Sequence, residues 1–303
     1  MFIIKNKFIF LTISAVIVLS SILSVVFFGL RYGIDFKGGT QLEVAYTNSR
    51  PEMSQVFAVL QKDNLSDAIA QEEGTLGLSV KSRPLAETER TTLVSDLAID
   101  GKYTLTQTGF TSIGPSVGLE LANKAIVAII TVVIAIVLYI AFAFRTVSKP
   151  VSSWKYGLIA IATLVHDIAI PAGVFALLGH FYGAEVDTLF VVAMLTVLGI
   201  SVSDTIVVFD RIRENLKNRV APTFPETVGK SLSQTFVRSI NTSLTVILVL
   251  LSLFFFGPTT TKNFALVLIV GMFFGTYSSI FVASPLLVLT EGWQKKHDKK
   301  GKK

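Results

Sequence analysis

Between Lys7 and Arg31 the chain runs for 23 residues, FIFLTISAVIVLSSILSVVFFGL, without one charged side chain. A helix needs about 20 apolar residues to cross a bilayer, and water-soluble core helices are rarely this long and this apolar. Five more apolar runs follow. Lys124 to Arg145 encloses 20 uncharged residues, Arg238 to Lys262 encloses 23 and Lys262 to Glu291 encloses 28. Residues 156–184 are interrupted by the pair His166–Asp167, and residues 188–209 only by Asp204. The expected fold is therefore a polytopic α-helical membrane protein with six transmembrane helices. Composition agrees, with 16% charged residues and a mean hydropathy of +0.63, where an ordinary soluble domain carries about 25% charge. The first run is too long for the ~7–15-residue apolar region of a signal peptide and no small-x-small cleavage site follows it, so it reads as an uncleaved anchor.

The formal charge of +6 raises nucleic-acid binding as a possibility, and the distribution of the charges argues against it. With the N-terminus inside, the cytoplasmic pieces are 1–7, 145–155, 210–238 and 291–303, and they hold 17 of the 27 Lys and Arg residues. The basic excess is an orientation signal, concentrated in the tail KKHDKKGKK (295–303), where it would also meet anionic lipid. The segment 31–124 has 9 basic against 12 acidic residues and lies outside on this reading.

Residues 31–123 have the texture of a folded domain. TQLEVAY (40–46), LGLSVKS (76–82) and KYTLTQTGF (102–110) alternate as strands. PEMSQVFAVLQKDN (51–64) and PLAETERTTLVSDLA (84–98) read as helices. This β-α-β-α-β order predicts one small α/β extracytoplasmic domain between the first two spans. The organisation is then 1–30 for the N-terminus and first span, 31–123 for the α/β domain, 124–290 for spans two to six, and 291–303 for a basic tail.

Ionisable groups inside a span are costly and face the bundle interior or a water path. Four qualify: His166 and Asp167 in the third span, Asp204 near the inner end of the fourth, and Arg238 at the inner end of the fifth. Topology puts Asp204 and Arg238 at similar depth. On a helical wheel, Gln234, Asn241, Thr242, Thr245 and Ser252 cluster around Arg238, and Ser201 and Thr205 flank Asp204. Two such stripes facing each other would form a hydrated seam holding an acid and a base. Desolvation favours a protonated acid while a neighbouring Arg favours the carboxylate, so small helix movements would load or release a proton. The bland alternatives are a structural salt bridge for Asp204–Arg238, and a bundle hydrogen bond for His166–Asp167 near Pro171 and Gly173. Gly271, Gly275, Ser279 and Ala283 recur every fourth residue in the sixth span, a small-residue stripe for close helix packing.

Enzyme signatures are missing from the sequence. It has no GxSxG in a span, no HExxH and no GxxxxGK[ST] loop. Asp204 sits in GISVSD, not in the GxGD context of intramembrane aspartyl proteases. Cysteine is absent and the three histidines are scattered, so no metal site is expected.

Five segments in order resemble the SecF branch of the SecD/SecF protein-export family: RYGIDFKGGT (31–40), FTSIGPSVGLELANKA (110–125), LVHDIAIPAG (164–173), GISVSDTIVVFDRIREN (199–215) and SLSQTFVRSINTS (231–243). Gly33, Asp35, Gly38 and Gly39 carry the first motif, and Asp210 and Arg211 belong to the block at the membrane exit. The pattern GYSxNDT is changed here to Ile200 and Ser203 while the Asp is kept. The resemblance covers nearly the whole chain and implies a non-enzymatic subunit of the Sec preprotein translocase, of the resistance–nodulation–division type and without a cofactor. Such a subunit pairs with SecD in the cytoplasmic membrane of a bacterium and uses the proton gradient to promote export of preproteins from the SecYEG channel. The proton-coupling pair of the family maps onto Asp204 and Arg238. A passive translocon scaffold and a proton-driven small-molecule exporter are the alternatives.

Overall fold

A computed structural model describes residues 2–144 and 151–300. Arg145 and Lys149 of the expected inner loop, and the last three residues of the basic tail, lie outside the described residues. The chain forms two compact units, Met1–Arg31 with Ala128–Lys303, and Tyr32–Val127.

After α1 (Phe2–Lys5) and α2 (Lys7–Phe28), the α/β unit contains α3 (Ile34–Lys37), β1 (Gly39–Tyr46), α4 (Met53–Lys62), β2 (Ile69–Glu73), β3 (Gly77–Ser82), α5 (Glu87–Asp96) and β4 (Leu105–Ile113). The sheet order is β2-β3-β1-β4, with every neighbouring pair antiparallel. Alternation along β1 and β3 turns Leu42, Val44, Tyr46, Leu78 and Val80 to one side, where they meet Val56 and Leu60 of α4 and Leu93 of α5. Each such apolar side chain contributes about 1.5–3 kcal/mol on burial.

The sequence reading had three strands, and the structure adds β2. Its five residues, IAQEE, pair only with β3 and none is buried. An edge strand with a wet, charged face lacks the apolar alternation that marks a strand. Arg50 pins this edge: its guanidinium donates to the carbonyls of Gly74 and Gly77 at 3.3 and 3.0 Å and pairs with Glu72 at 2.7 Å. At the start of α5, Glu89 accepts from the Ala86 amide at 2.8 Å and pairs with Arg83 at 2.6 Å. The Arg83 guanidinium, with that amide, pushes the Glu89 carboxyl down to about 2.

The paired glycines of the first motif turn the chain from α3 into β1. Gly38 has φ +78°, and a Cβ there would sit 2.8 Å from Pro115 Cα. Gly39 has φ +149°, and a Cβ there would sit 2.7 Å from the Ser82 carbonyl oxygen. Backbone conformation and space thus both demand glycine. Gly33 precedes the four-residue α3, and Asp35 lies in its first turn.

The helical unit continues through α6 (Pro115–Ala143), α7 (Ser153–Tyr182), α8 (Thr188–Lys217), α9 (Phe224–Phe256), α10 (Thr259–Ser278), a π-helical turn (Ser279–Ala283) and α11 (Ser284–Lys300). Among the described residues, six helical stretches are long and apolar enough to cross a membrane: α2, α6, α7, α8, α9 and the continuous run Thr260–Gln294. α6 begins earlier than the apolar run at 125 because Pro115 suits a first helical turn. Helices α7, α8 and α10 bury the most, whereas α2, α6 and α9 keep most of their surface outside the unit.

Packing in the outer helices is inverted relative to a soluble protein. The buried residues of α2 are Ser14 and Ser21, while Ile13, Val16, Leu19 and Phe27 are exposed. In α9 Ser231, Thr235, Ser239 and Ser243 are buried and Val237, Leu244, Leu248 and Val249 are exposed. Lipid is as apolar as leucine, so small and hydroxylated residues gain most from helix contact. The stripe in the last span follows the same rule. Gly271 lies against Val197, Gly275 lies against Ser201 (a Cβ would be 3.1 Å from Ser201 Cβ), Ser279 bonds Thr205 and Ala283 is buried. This row is where α10 approaches α8.

Candidate functional site

Asp204 projects from the middle of α8, at the place where α8 faces α9 and α10. Ser239 of α9 donates to Asp204 Oδ1 at 2.6 Å, and Asp204 Oδ2 is buried with no hydrogen-bond partner among the described residues. A cavity of about 240 Å³ lies beside it, lined by Ser201, Ser203, Asp204, Arg238, Thr242 and Gly275 among others. That volume has room for several water molecules, each needing polar partners of the kind this lining offers. Arg238 shares the lining without forming an ion pair with Asp204. An acid with one occupied oxygen, beside a cavity wide enough for water and lined also by a cation, can take up and give back a proton without unfolding its surroundings.

Local sequence explains the placement. On α9 the buried face is Ser231, Thr235, Ser239 and Ser243, roughly a quarter-turn round the helix from Arg238. Ser239 reaches Asp204, and the Ser243 and Thr276 hydroxyls are hydrogen-bonded to each other, so α9 is joined to both α8 and α10. The stripe centred on Arg238 lies beside this face. Asn241, Thr242 and Thr245 are exposed, and the hydroxyls of Thr242 and Thr245 donate to their own helix at the carbonyls of Arg238 and Asn241, at 2.9 and 2.7 Å. Of the expected seam residues the structure thus groups Ser201 and Thr205 inside, keeps Thr242 on the cavity wall, and leaves Asn241 and Thr245 outside. Ser239 was missed. Its signal was the row of four hydroxylated residues at four-residue spacing, which a wheel centred on Arg238 passes over.

A second acid lies deeper. Asp167 of α7 is fully buried, and both of its oxygens are engaged. His166 Nδ1 is 2.9 Å from Oδ1, Ser278 of α10 donates to Oδ2 at 3.0 Å, and Ser201 of α8 donates to the same oxygen. The His166 ring stacks on Tyr277 at 6.2 Å between centroids, and its Nε2 is buried with no partner among the described residues. Thr205 and Ser279 share a 2.8 Å hydrogen bond one turn further along. Ser279 opens the π-helical turn, a distortion that often marks functional segments of a helix.

The block Asp210–Asn215 occupies the polar end of α8 and fastens it to α9. Arg211 Nε donates to Gln234 Oε1 at 2.8 Å and its Nη1 to Glu214 at 2.6 Å. Asn215 Nδ2 donates to Ser231 Oγ at 2.8 Å and to Gln234 Oε1 at 2.7 Å. Asp210 is exposed and 4.0 Å from Arg213. Among the described residues no cluster of three or more His, Asp or Glu side chains is arranged to hold a metal.

Comparison with known proteins gives the arrangement a context. Residues 96–293 match the family model "Protein export membrane protein SecD/SecF, C-terminal", and residues 23–49 match the SecD/SecF GG motif. The chain is 42% identical over 306 residues to the protein translocase subunit SecF of Thermobaculum terrenum, covering 97% of this chain and 94% of that one. It is 37% identical to the SecF of Anaerolinea thermophila over 95% of this chain and 94% of that one. The crystal structure of SecDF from Thermus thermophilus, a translocon-associated membrane protein, superposes with a TM-score of 0.81 at 31% identity. That match covers 96% of this chain and 38% of the longer SecDF chain. On these grounds the chain belongs to the SecD/SecF family of protein-export membrane proteins, and within it to the SecF translocase subunits.

Proposed function

We propose that this protein works with SecD as a proton-driven accessory to the Sec translocase. Asp204 is the proton-carrying group and Arg238 the cation opposite it. The observation that carries the reading is the cavity between α8, α9 and α10, with the unpartnered Asp204 oxygen and Arg238 both on it. Protonation of Asp204 removes a charge from the seam and changes what Ser239 and Arg238 face, which biases the packing of α8 against α9. Such a small local change shifts a bundle whose two packings differ by a few kcal/mol.

The longer SecDF chain of the Thermus relative supports a SecD partner. The extensive outer surfaces of α2, α6 and α9 supply apolar area for that partner and for lipid. The distribution of Lys and Arg supports a multi-pass placement in the cytoplasmic membrane with both termini inside and residues 31–123 outside. The partners on the transport side are the SecYEG channel and the emerging preprotein, with the outer α/β unit as the part that moves or touches substrate.

The test is Asp204→Asn in cells expressing SecD, with export of a reporter preprotein followed in the presence and absence of a proton gradient. Loss of the gradient-dependent part, at normal expression and SecD association, is expected. A mutant that keeps it refutes the proton role. A charge exchange, Asp204→Arg with Arg238→Asp, separates this reading from a passive scaffold, since only a scaffold tolerates the swap.

A further inference from the structure

Asp167 is as much an intramembrane acid as Asp204, yet its surroundings suit a different task. It does not line the cavity, it is fully buried, and each oxygen already has a partner. Its donors come from three helices: His166 on α7, Ser201 on α8 and Ser278 on α10. Ser201 is the link to the seam. It lies one helical turn before Asp204 on α8, lines the Asp204 cavity and packs its Cβ against Gly275. The Ser201 hydroxyl therefore belongs to the cavity wall and is held by Asp167 from behind.

We propose that Asp167 is a positioning residue that acts through Ser201 to set the rotation of α8, and hence the width of the cavity beside Asp204, and that it carries no proton in the working cycle. The inference rests on the proton-carrying role of Asp204 for its functional meaning, and its geometric core stands apart from that role. A carboxylate that gathers hydroxyls from α8 and α10 fixes both helices at once. With Ser201 released, α8 keeps at this level the Ser239–Asp204 and Thr205–Ser279 hydrogen bonds and the close approach at Gly271 and Gly275. The titratable and charged groups around the seam are Arg238 on α9, His166 and Asp167 on α7, and Tyr277 on α10, which stacks on His166. α10 otherwise presents Gly271, Met272, Gly275 and Thr276 to the cavity, none of them charged.

The chain has no cysteine, so a single reporter is clean. Ser203, exposed on the cavity wall, is replaced by Cys and its labelling rate by a water-soluble maleimide is measured on the full chain in membranes with SecD. Asp167→Asn and Ser201→Ala are each expected to change that rate about five-fold, and the double variant no more than either alone, as residues acting through one contact are non-additive. Additive effects, or an unchanged rate in Asp167→Asn, overturn the proposal. In the export assay Asp167→Asn is expected to keep gradient-dependent stimulation, with its pH midpoint moved by about half a unit. Total loss at every pH, matching Asp204→Asn, would make Asp167 a proton carrier and also overturn it. Should Asp167→Asn fail to accumulate, Ser201→Ala and Ser278→Ala each remove one donor and report on the same Cys. If Asp204→Asn leaves export intact, the proton reading fails while the labelling result still decides the positioning role.

Discussion

Two aspartates inside one bundle meet opposite surroundings. Asp167 holds three side-chain partners and is not on the lining of the Asp204 cavity, whereas Asp204 holds one and borders that space of about 240 Å³. A charged side chain at the centre of a bilayer costs about 2.5–3.5 kcal/mol, so each needs a compensating environment. Asp167 finds it in hydrogen bonds from three helices, which lock a single geometry. Asp204 has one hydrogen bond and a space wide enough for water, the setting of the proposed proton exchange. Residue type is shared; the number of fixed donors separates the proposed clamp from the proposed carrier.

The widest separation is expected between Asp204→Asn, which abolishes gradient-dependent export, and Asp167→Asn, which retains it with a moved pH profile. Equal losses would erase the contrast. Next in size is Gly275→Leu, which drives a side chain into Ser201 at the wall common to both sites. Overpacking of this kind costs about 1–3 kcal/mol, so a lower melting temperature in detergent and a faster-labelled Ser203→Cys reporter are expected together. Ser239→Ala removes the lone donor to Asp204 and leaves Asp167 untouched. A loss of about three- to ten-fold in gradient-dependent export is expected, the size of one hydrogen bond, with a labelling rate shifted far less than by Ser201→Ala. Glu89, a carboxylate in water, supplies the outer reference. Its folded pKa lies at about 2, below the ordinary value of 4.5, so its support for the α5 N-terminus is complete above about pH 4.5 and fades as pH falls towards 2. Hydrogen exchange of the α5 amides should lose protection across that window, and Glu89→Gln should flatten the dependence. Lying at the surface, it makes the smallest contribution of the four.

Much of the fold was open to inspection before any coordinates. The six spans follow from long apolar runs, four of them free of charge, and β1, β3 and β4 from alternation. β2 escaped because Glu72 and Glu73 on a wet edge carry no apolar period. The candidate site was legible as a set of residues and not as a set of contacts. Asp204, Arg238, Asp167 and Ser201 stood out as polar groups in apolar helices, but their partners Ser239 and Ser278 are ordinary serines in spans rich in serine and threonine. The wheel centred on Arg238 also picked the neighbouring face of α9, because a cation is no guide to which side of a helix packs.

The sequence by itself determined how many times this chain crosses the membrane, where the α/β unit is inserted and which ionisable groups are taken into the bilayer. These depend on the transfer of segments from water to lipid, a property that adds up residue by residue along the chain. Only the tertiary structure decided which acid is clamped and which borders the cavity. That choice rests on the rotation of each helix about its own axis, and a quarter-turn costs little in lipid on either face. The rotation is set by where Gly271, Gly275 and Ser279 let α10 close on α8, and by where the hydroxyls of α8 and α10 converge on Asp167.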